Sequence, residues 1–164
     1  MAEPQPIVRL QDVHLDMASD AGTVNILRGI TVDIAAGEIA AVVGPSGAGK
    51  SSLMMVAGGL ERATSGRVEV AGRDLGPLGD DDRARLRRDA IGIVFQGFHL
   101  IPTMTAHENV ALPLEFAGHP DAFGLAEAAL QRVGLGHRIG HYPAQLSGGE
   151  QQRVAVARAF VGRP

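Results

Sequence analysis

A glycine-rich segment, GPSGAGKS at residues 44–51, holds the side chains best suited to chemistry. The pattern G-x-x-x-x-G-K-[ST] is that of a phosphate-binding loop, in which glycines let consecutive backbone N–H groups curl around an anion. The lysine of such a loop reaches the β- and γ-phosphates of a nucleotide, and the hydroxyl after it ligates Mg²⁺. The predicted nucleotide-binding residues are Gly44, Pro45, Ser46, Gly47, Ala48, Gly49, Lys50, Ser51 and Ser52.

Strands and a helix must position this loop. The run 38–43 is short and apolar, which predicts a buried parallel strand leading into the loop, and 52–57 has the composition of a helix start. Further strands are predicted at 7–15, 23–27, 30–34, 67–70 and 91–95. Arg28 and Gly29 are expected to separate two of them, and Gln96 ends the last. This order predicts a mixed α/β core with an added antiparallel β layer.

The other predicted elements are helices. Asp80 to Arg88 places acidic residues at one end of a short helix and basic residues at the other, as the helix dipole favours. Thr105 and Glu108 form a capping box that opens a second helix, which Pro113 is expected to end or kink. A third, alanine-rich helix at 121–133 has an apolar face formed by Phe123, Ala126, Leu130 and Val133.

A second motif, LSGGEQQR at 146–153, starts a last helix that is predicted to run to about residue 160. A helix N-terminus with a serine hydroxyl and two glycines is suited to anion binding. A plain capping box between Ser147 and Glu150 is an equally good interpretation of these residues alone. The predicted division of the chain is 1–96 for the β layer and α/β core, 97–146 for a helical subdomain, and 147–164 for a helix returning to the core.

Composition excludes several classes of protein. The net charge of −3 and the pI near 6.0 provide no basic surface for nucleic acid. Aromatic residues make up 4% of the chain, too few for a base-stacking platform. The absence of cysteine excludes disulfides and thiolate metal sites. The N-terminus lacks the pattern of a signal peptide, and the chain is expected to be soluble.

Taken together, the loop, Gln96 and LSGGEQQR resemble the nucleotide-binding subunit of an ATP-binding cassette (ABC) transporter over essentially the whole chain. VFQGFHLIP at 94–102 and ENVALPL at 108–114 resemble the lipoprotein-releasing and macrolide-exporter branch (LolD, MacB, FtsE). Leu135-Gly136 and Pro143-Ala144-Gln145 are similar to its YbbA-like members most closely. The resemblance implies a P-loop NTPase fold of the ABC type, and an ATPase that couples dimer closure to export or lipoprotein extraction.

The resemblance also implies ATP and Mg²⁺ as cofactors, with Lys50 and Gln96 as catalytic residues and Ser51 and Gln96 as metal ligands. Gln96 would also touch the attacking water. A second subunit, arranged head to tail, would present its ATP to Ser147, Gly148, Gly149 and Glu150. The apolar segment 98–104, from Phe98 to Met104, would dock an integral membrane subunit, unless it is buried in the chain's own core. These roles imply the cytoplasmic face of the inner (plasma) membrane.

Two departures from the family pattern affect these expectations. Met17 stands where the family has an aromatic side chain against adenine, so a softer apolar contact is expected. The 164 residues contain no apolar run ending in Asp-Glu, which would supply a metal ligand and a water-polarising glutamate. The chain is therefore expected to be the N-terminal two-thirds of a subunit, without ATP turnover by itself. The histidines are expected to be surface or loop residues: His14, His99, His107, His119, His137 and His141.

Three other classes remain as alternatives. An ABC-type ATPase acting on DNA would be expected to separate its two motifs by coiled-coil or zinc inserts, whereas this chain is compact and cysteine-free. A small-molecule kinase would need an acceptor pocket and would have no use for LSGGEQQR. A non-enzymatic binding module would keep its function in a Lys50→Ala variant, and an enzyme of any of these classes would lose it.

Overall fold

A computed structural model describes residues 5–19 and 22–164. The chain divides into two compact units, one up to Arg85 and the other from Leu86 onward. The strands are β1 (Val8–Ser19), β2 (Gly22–Ile34), β3 (Ser65–Val70) and β4 (Arg73–Asp74), and the helices are α1 (Lys50–Ala57), α2 (Asp80–Ala90), α3 (Ala106–Phe116), α4 (Ala122–Arg132) and α5 (Gly148–Phe160). Short 3₁₀ turns lie at Gly136–Arg138 and Pro143–Gln145. The predicted domain boundaries at 96/97 and 146/147 stay predictions.

The first unit contains an antiparallel sheet in the order β2-β1-β3-β4. β1 buries Leu10, Val13 and Leu15, with a register shift between Leu10 and Val13 that interrupts the alternation. Val68 and Val70 of β3 are buried by regular alternation. The predicted antiparallel β layer is therefore confirmed. The short strand β4, which pairs with the end of β3, is an element that sequence patterns did not indicate.

The break predicted at Arg28 and Gly29 is wrong, because β2 runs through both residues. Between the pairs Val13–Ile30 and Leu15–Leu27, β2 contains one residue more than β1 does. Gly29 has a φ of 67°, which is the left-handed conformation that a β-bulge often requires. A glycine in a strand thus marks a bulge here and not a turn.

The strands predicted at 38–43 and 91–95 are not formed in the part of the chain that the structure describes. In the first run, Ile39 is 98% exposed and Val43 is 87% exposed, so the expected burial is also wrong. A strand needs a neighbour that exchanges backbone hydrogen bonds with it. The four-stranded sheet contains neither run. Apolar composition identifies a segment suited to burial but does not supply its partner.

The second unit is helical and has one core. Its buried side chains come from α3, α4, α5 and the turns between them: Ala106, Val110, Ala111, Leu114, Ala122, Ala126, Leu130, Leu135, Leu146, Val154, Ala157 and Val161. Pro113 does not end α3, which continues for one further turn to Phe116. On α4 the predicted face is partly wrong, because Phe123 is 43% exposed and packs edge-to-face on His107, while Ala122 is buried.

No helix among residues 5–19 and 22–164 has the length and apolar character needed to cross a bilayer.

Candidate functional site

The predicted phosphate loop, residues 44–51, ends in a helix whose N-terminus has no side-chain cap. Gly49 is the N-cap of α1, and the first turn of that helix contains no acidic residue. The backbone N–H groups of a helix's first turn have no partner within the helix. They also lie at the positive end of the helix dipole. This end of α1 is therefore free to bind an anion such as a phosphate group.

Glycine is required at position 49 for two reasons. Its φ of 81° is left-handed, and a Cβ there would lie 2.9 Å from the Ile26 carbonyl oxygen and 3.2 Å from Leu27 Cδ2. The loop thus packs directly against the backbone of β2. A larger residue would push the start of α1 away from the sheet.

Lys50 holds its ammonium group over the loop. Its Nζ donates to the Gly44 carbonyl at 2.9 Å and to the Pro45 carbonyl at 2.6 Å. Lys50 is also the only lysine in the 164 residues. A bound phosphate would offer charged oxygens in place of these carbonyls, and charge-assisted hydrogen bonds are stronger than those to neutral acceptors.

The signature segment, residues 146–150, forms a complete capping box at the start of α5. Ser147 Oγ accepts from the Glu150 N–H at 3.3 Å, while Glu150 Oε2 accepts from the Ser147 N–H and from its hydroxyl, both at 2.8 Å. Gln151 Nε2 donates to the carbonyls of Pro143 and Leu146 and so holds the residues before the helix. The predicted capping box is therefore formed, and it lies at the same helix start where the anion site is predicted.

Glu150 is surrounded by groups that favour its ionised form. Hydrogen bonds from the Ser147 backbone and hydroxyl lower the pKa of Glu150 below its usual value, and the positive charge of Arg138 contributes further. Arg138 Nε lies 3.2 Å from Glu150 Oε1. The carboxylate is thus charged at neutral pH and sits in the first turn of the signature helix.

Gln96 is exposed and is followed by a turn that two side chains of the same unit hold in place. Arg158 of α5 donates to the carbonyls of Phe98 and His99 at 2.7 and 2.8 Å. Both of these residues have positive φ, 60° and 46°. The His99 ring stacks on Phe95 at 4.8 Å between centroids. The Arg158 hydrogen bonds and the Phe95–His99 stack thus support the backbone on both sides of Gln96.

Asn109 holds the next part of the same loop. Its side chain is fully buried in α3, at 0% exposure. Oδ1 accepts from the Ile101 N–H at 2.8 Å, and Nδ2 lies within 3.0 to 3.1 Å of the carbonyls of Ile101, Met104 and Thr105. In the sequence, Asn109 stands out only as part of ENVALPL at 108–114. Its position directly after a capping-box glutamate is the one signal that could have indicated it.

The apolar segment 98–104 is divided between core and surface. Leu100 packs against the core of the second unit, and Phe98, Ile101 and Met104 are half-buried. Pro102 and Thr103 are exposed. The buried alternative considered for this segment thus applies to Leu100, and the exposed tip remains open to a partner.

The predicted site residues fall into two groups. The phosphate loop and Ser52 belong to the first unit, and Gln96, Ser147, Gly148, Gly149 and Glu150 belong to the second. Met17 lies on β1, 41% exposed, opposite the similarly exposed Val24. None of the six histidines is buried, and His141 Nε2 lies 3.1 Å from Arg138 Nη1.

Comparison with known proteins gives consistent matches over nearly the whole chain. The ABC transporter family matches residues 27–164. The lipoprotein-releasing system ATP-binding protein LolD of Novosphingobium aromaticivorans is 48% identical over 161 residues, which are 97% of this chain and 72% of that protein. The macrolide export ATP-binding/permease protein MacB of Marinobacter nauticus is 47% identical over 96% of this chain and 25% of its own length.

Among solved structures, the ATP-binding cassette MJ0796 in a dimeric post-hydrolysis state, bound to ADP and Pi, superposes with a TM-score of 0.89. It is 38% identical, and the match covers 96% of this chain and 70% of that one. A second dimeric structure of the same bacterial ABC transporter cassette gives the same TM-score at 37% identity.

Proposed function

This chain belongs to the ABC transporter family, in the branch of the LolD and MacB ATP-binding proteins, and from this premise we propose that it binds and hydrolyses ATP to drive a membrane partner. The observation that carries the proposal is the contrast between helix starts. α3 and α5 both begin with a capping box, whereas α1 begins with an uncapped glycine and Lys50. α4 also begins without a side-chain cap, but its N-cap is Asp121 and no lysine follows it, whereas the α1 start combines uncapped N–H groups with Lys50.

ATP would bind with its phosphates in the loop 44–51. The backbone N–H groups would surround the β-phosphate, and Lys50 would exchange its two carbonyl acceptors for phosphate oxygens. Met17, exposed on β1, would make a soft apolar contact with the adenine.

The residues present fit a magnesium ion. The Ser51 hydroxyl is exposed at the second position of α1 and makes no side-chain hydrogen bond to any residue that the structure describes. Ser51 would contribute a hard oxygen atom, the kind of ligand that Mg²⁺ prefers. When bound, the ion would neutralise charge that develops on the phosphates.

A second copy of the chain would complete the site, head to tail, as the dimeric state of the MJ0796 relative supports. Its α5 start would then face the γ-phosphate. The Ser147 hydroxyl donates a hydrogen bond to Glu150 Oε2 in this structure. In the dimer it would donate to a phosphate oxygen instead. Gly148 and Gly149 would let the phosphate approach the backbone, since they place no side chain at the helix start.

The membrane partner would dock on the exposed tip of segment 98–104. Asn109 and Arg158 fix this loop to α3 and α5, so a movement of the helices would move the docking surface as a rigid piece. With such a partner, the protein would lie at the cytoplasmic face of the membrane, and the LolD and MacB relatives support an export or lipoprotein-extraction role.

The single lysine of residues 1–164 allows a direct test of the loop. We expect saturating MgATP to protect Lys50 from an amine-reactive ester, as measured by peptide mapping, and AMP to protect it poorly. In the full-length protein, Lys50→Ala should abolish hydrolysis, with the exposed-arginine variant Arg85→Gln as a matched control. Unchanged labelling of Lys50 with MgATP, or full hydrolysis in Lys50→Ala, would refute the proposed function.

A further inference from the structure

Two capping boxes in the second unit have the same geometry but different surroundings. In the α3 box, Glu108 Oε2 accepts from the Thr105 N–H at 2.7 Å and from its hydroxyl at 2.9 Å. The α5 box of Ser147 and Glu150 has both contacts at 2.8 Å. Only the α5 box has an arginine paired with its glutamate among the described residues. Since the α3 box is complete without one, Arg138 is not needed for capping.

Two different nitrogen atoms of the Arg138 guanidinium contact Glu150 and His141. Arg138 Nε is buried and 3.2 Å from Glu150 Oε1, yet it makes no hydrogen bond there. At the other end of the guanidinium, Nη1 lies within hydrogen-bond distance of His141 Nε2. Arg138 therefore forms an ion pair with Glu150, and the contact of its Nη1 with His141 orients the guanidinium group.

The negative charge of Glu150 opposes anion binding at the start of α5, and the positive charge of Arg138 offsets it. The Glu150 carboxylate lies in the first turn of α5, beside Ser147, and it is ionised at neutral pH. A triphosphate approaching Ser147 would meet this like charge, and like charges placed together at an interface oppose association. A guanidinium against the other carboxylate oxygen offsets the charge without occupying the serine hydroxyl.

We propose that Arg138 is a positioning residue that neutralises Glu150 and so allows the α5 N-terminus to accept the triphosphate bound by a second copy of the chain. This inference rests on the proposed function. It assigns a role to a residue that lies nine positions before Ser147 in sequence, in the 3₁₀ turn Gly136–Arg138.

The test is a double-mutant cycle in the full-length protein. The quantity measured is the protein concentration that gives half-maximal MgATP hydrolysis, which reports association of two copies. Arg138→Gln should raise it at least about fivefold, because it leaves an unpaired carboxylate beside the phosphate. Adding Glu150→Gln should restore it to within about twofold of wild type, since glutamine can also serve in a capping box. Arg138→Lys, which keeps the charge, should stay near wild type.

The outcomes separate this inference from the proposed function. Protection of Lys50 by MgATP in dilute protein reports the chain's own loop and should be the same in all variants. If wild type shows no such protection, the proposed function itself fails. If protection and association are normal in wild type, and Arg138→Gln associates equally well, the inference alone is overturned. A defect that Glu150→Gln does not restore would also overturn it, because it would mark Arg138 as a purely structural residue bound to His141.

Discussion

Replacing Asn109 with alanine should destabilise the protein more than any other single amide deletion in the chain. The side chain is fully buried, and it bridges α3 to the loop that contains Ile101 and Met104. Its Nδ2 has two hydrogens for three nearby carbonyls, so it contributes two donated bonds and Oδ1 contributes one accepted bond. At about 1 kcal/mol for each net hydrogen bond, the expected loss in the free energy of unfolding is about 3 kcal/mol.

The assay is urea denaturation, followed by far-UV circular dichroism, with Asn25→Ala as the matched control. Asn25 is the only other asparagine in the sequence; it is exposed and makes one side-chain bond, to Asp16 Oδ1. The control should change stability by less than about 0.5 kcal/mol. Asn109→Asp keeps the acceptor for Ile101 but places a carboxylate against carbonyl oxygens, so its loss should be at least as large as that of Asn109→Ala at neutral pH and smaller in acid.

Loss of the Asn109 side chain should also have a functional effect. Because Asn109 fixes the loop and not the nucleotide, Asn109→Ala should weaken stimulation of hydrolysis by the membrane partner while leaving the protection of Lys50 by MgATP intact. A stability loss below about 0.5 kcal/mol in Asn109→Ala would refute the hydrogen-bond account, since four short contacts at a buried amide would then contribute almost nothing.

Two further predictions concern acid stability and backbone strain. The pKa values of Glu108 and Glu150 lie below the usual value of 4.5 in the folded protein, so their ionised forms stabilise the fold above that pH and the stability is lost as pH falls through the lower folded-state values. The thermal midpoint should therefore fall in this acid range, and less steeply when both residues are changed to glutamine; an unchanged slope would contradict the assignment. Gly66→Ala should cost about 3 kcal/mol or more, because φ is +88° and the added Cβ would collide with the Asp12 backbone. Gly72→Ala, at a φ of +73° in open space, should cost only about 1 kcal/mol, and equal losses in the two variants would show that the collision is absent.

Local motifs were predictable from the sequence because their structure depends on neighbouring residues. The capping boxes at Thr105 and Ser147 follow from residue types three positions apart, and both are formed as expected. The helix predicted after the glycine-rich loop is also formed, although α1 begins at Lys50, two residues before the predicted start.

Features that depend on distant residues were not predictable. The runs 38–43 and 91–95 have strand composition, but whether a run forms a strand depends on a hydrogen-bonding neighbour elsewhere in the chain. Arg158 contacts carbonyls about 60 positions away, at Phe98 and His99, and no local pattern indicates such a pair. Arg138 is closer to its partner Glu150, yet the segment between Arg138 and the start of α5 contains only a 3₁₀ turn and irregular backbone, which gives no periodic spacing to detect.

The central claim is that the signature segment of one copy contacts the γ-phosphate of ATP held by another. The direct measurement uses a mixture of two tagged chains, one wild type and one with Lys50→Ala, and an ATP analogue with a photoreactive group on its γ-phosphate. The account predicts that light attaches the label to residues 147–150 of the Lys50→Ala chain, and only when the wild-type chain is present. Label confined to the chain that holds the nucleotide, or absent from residues 147–150 of its partner, would contradict the account.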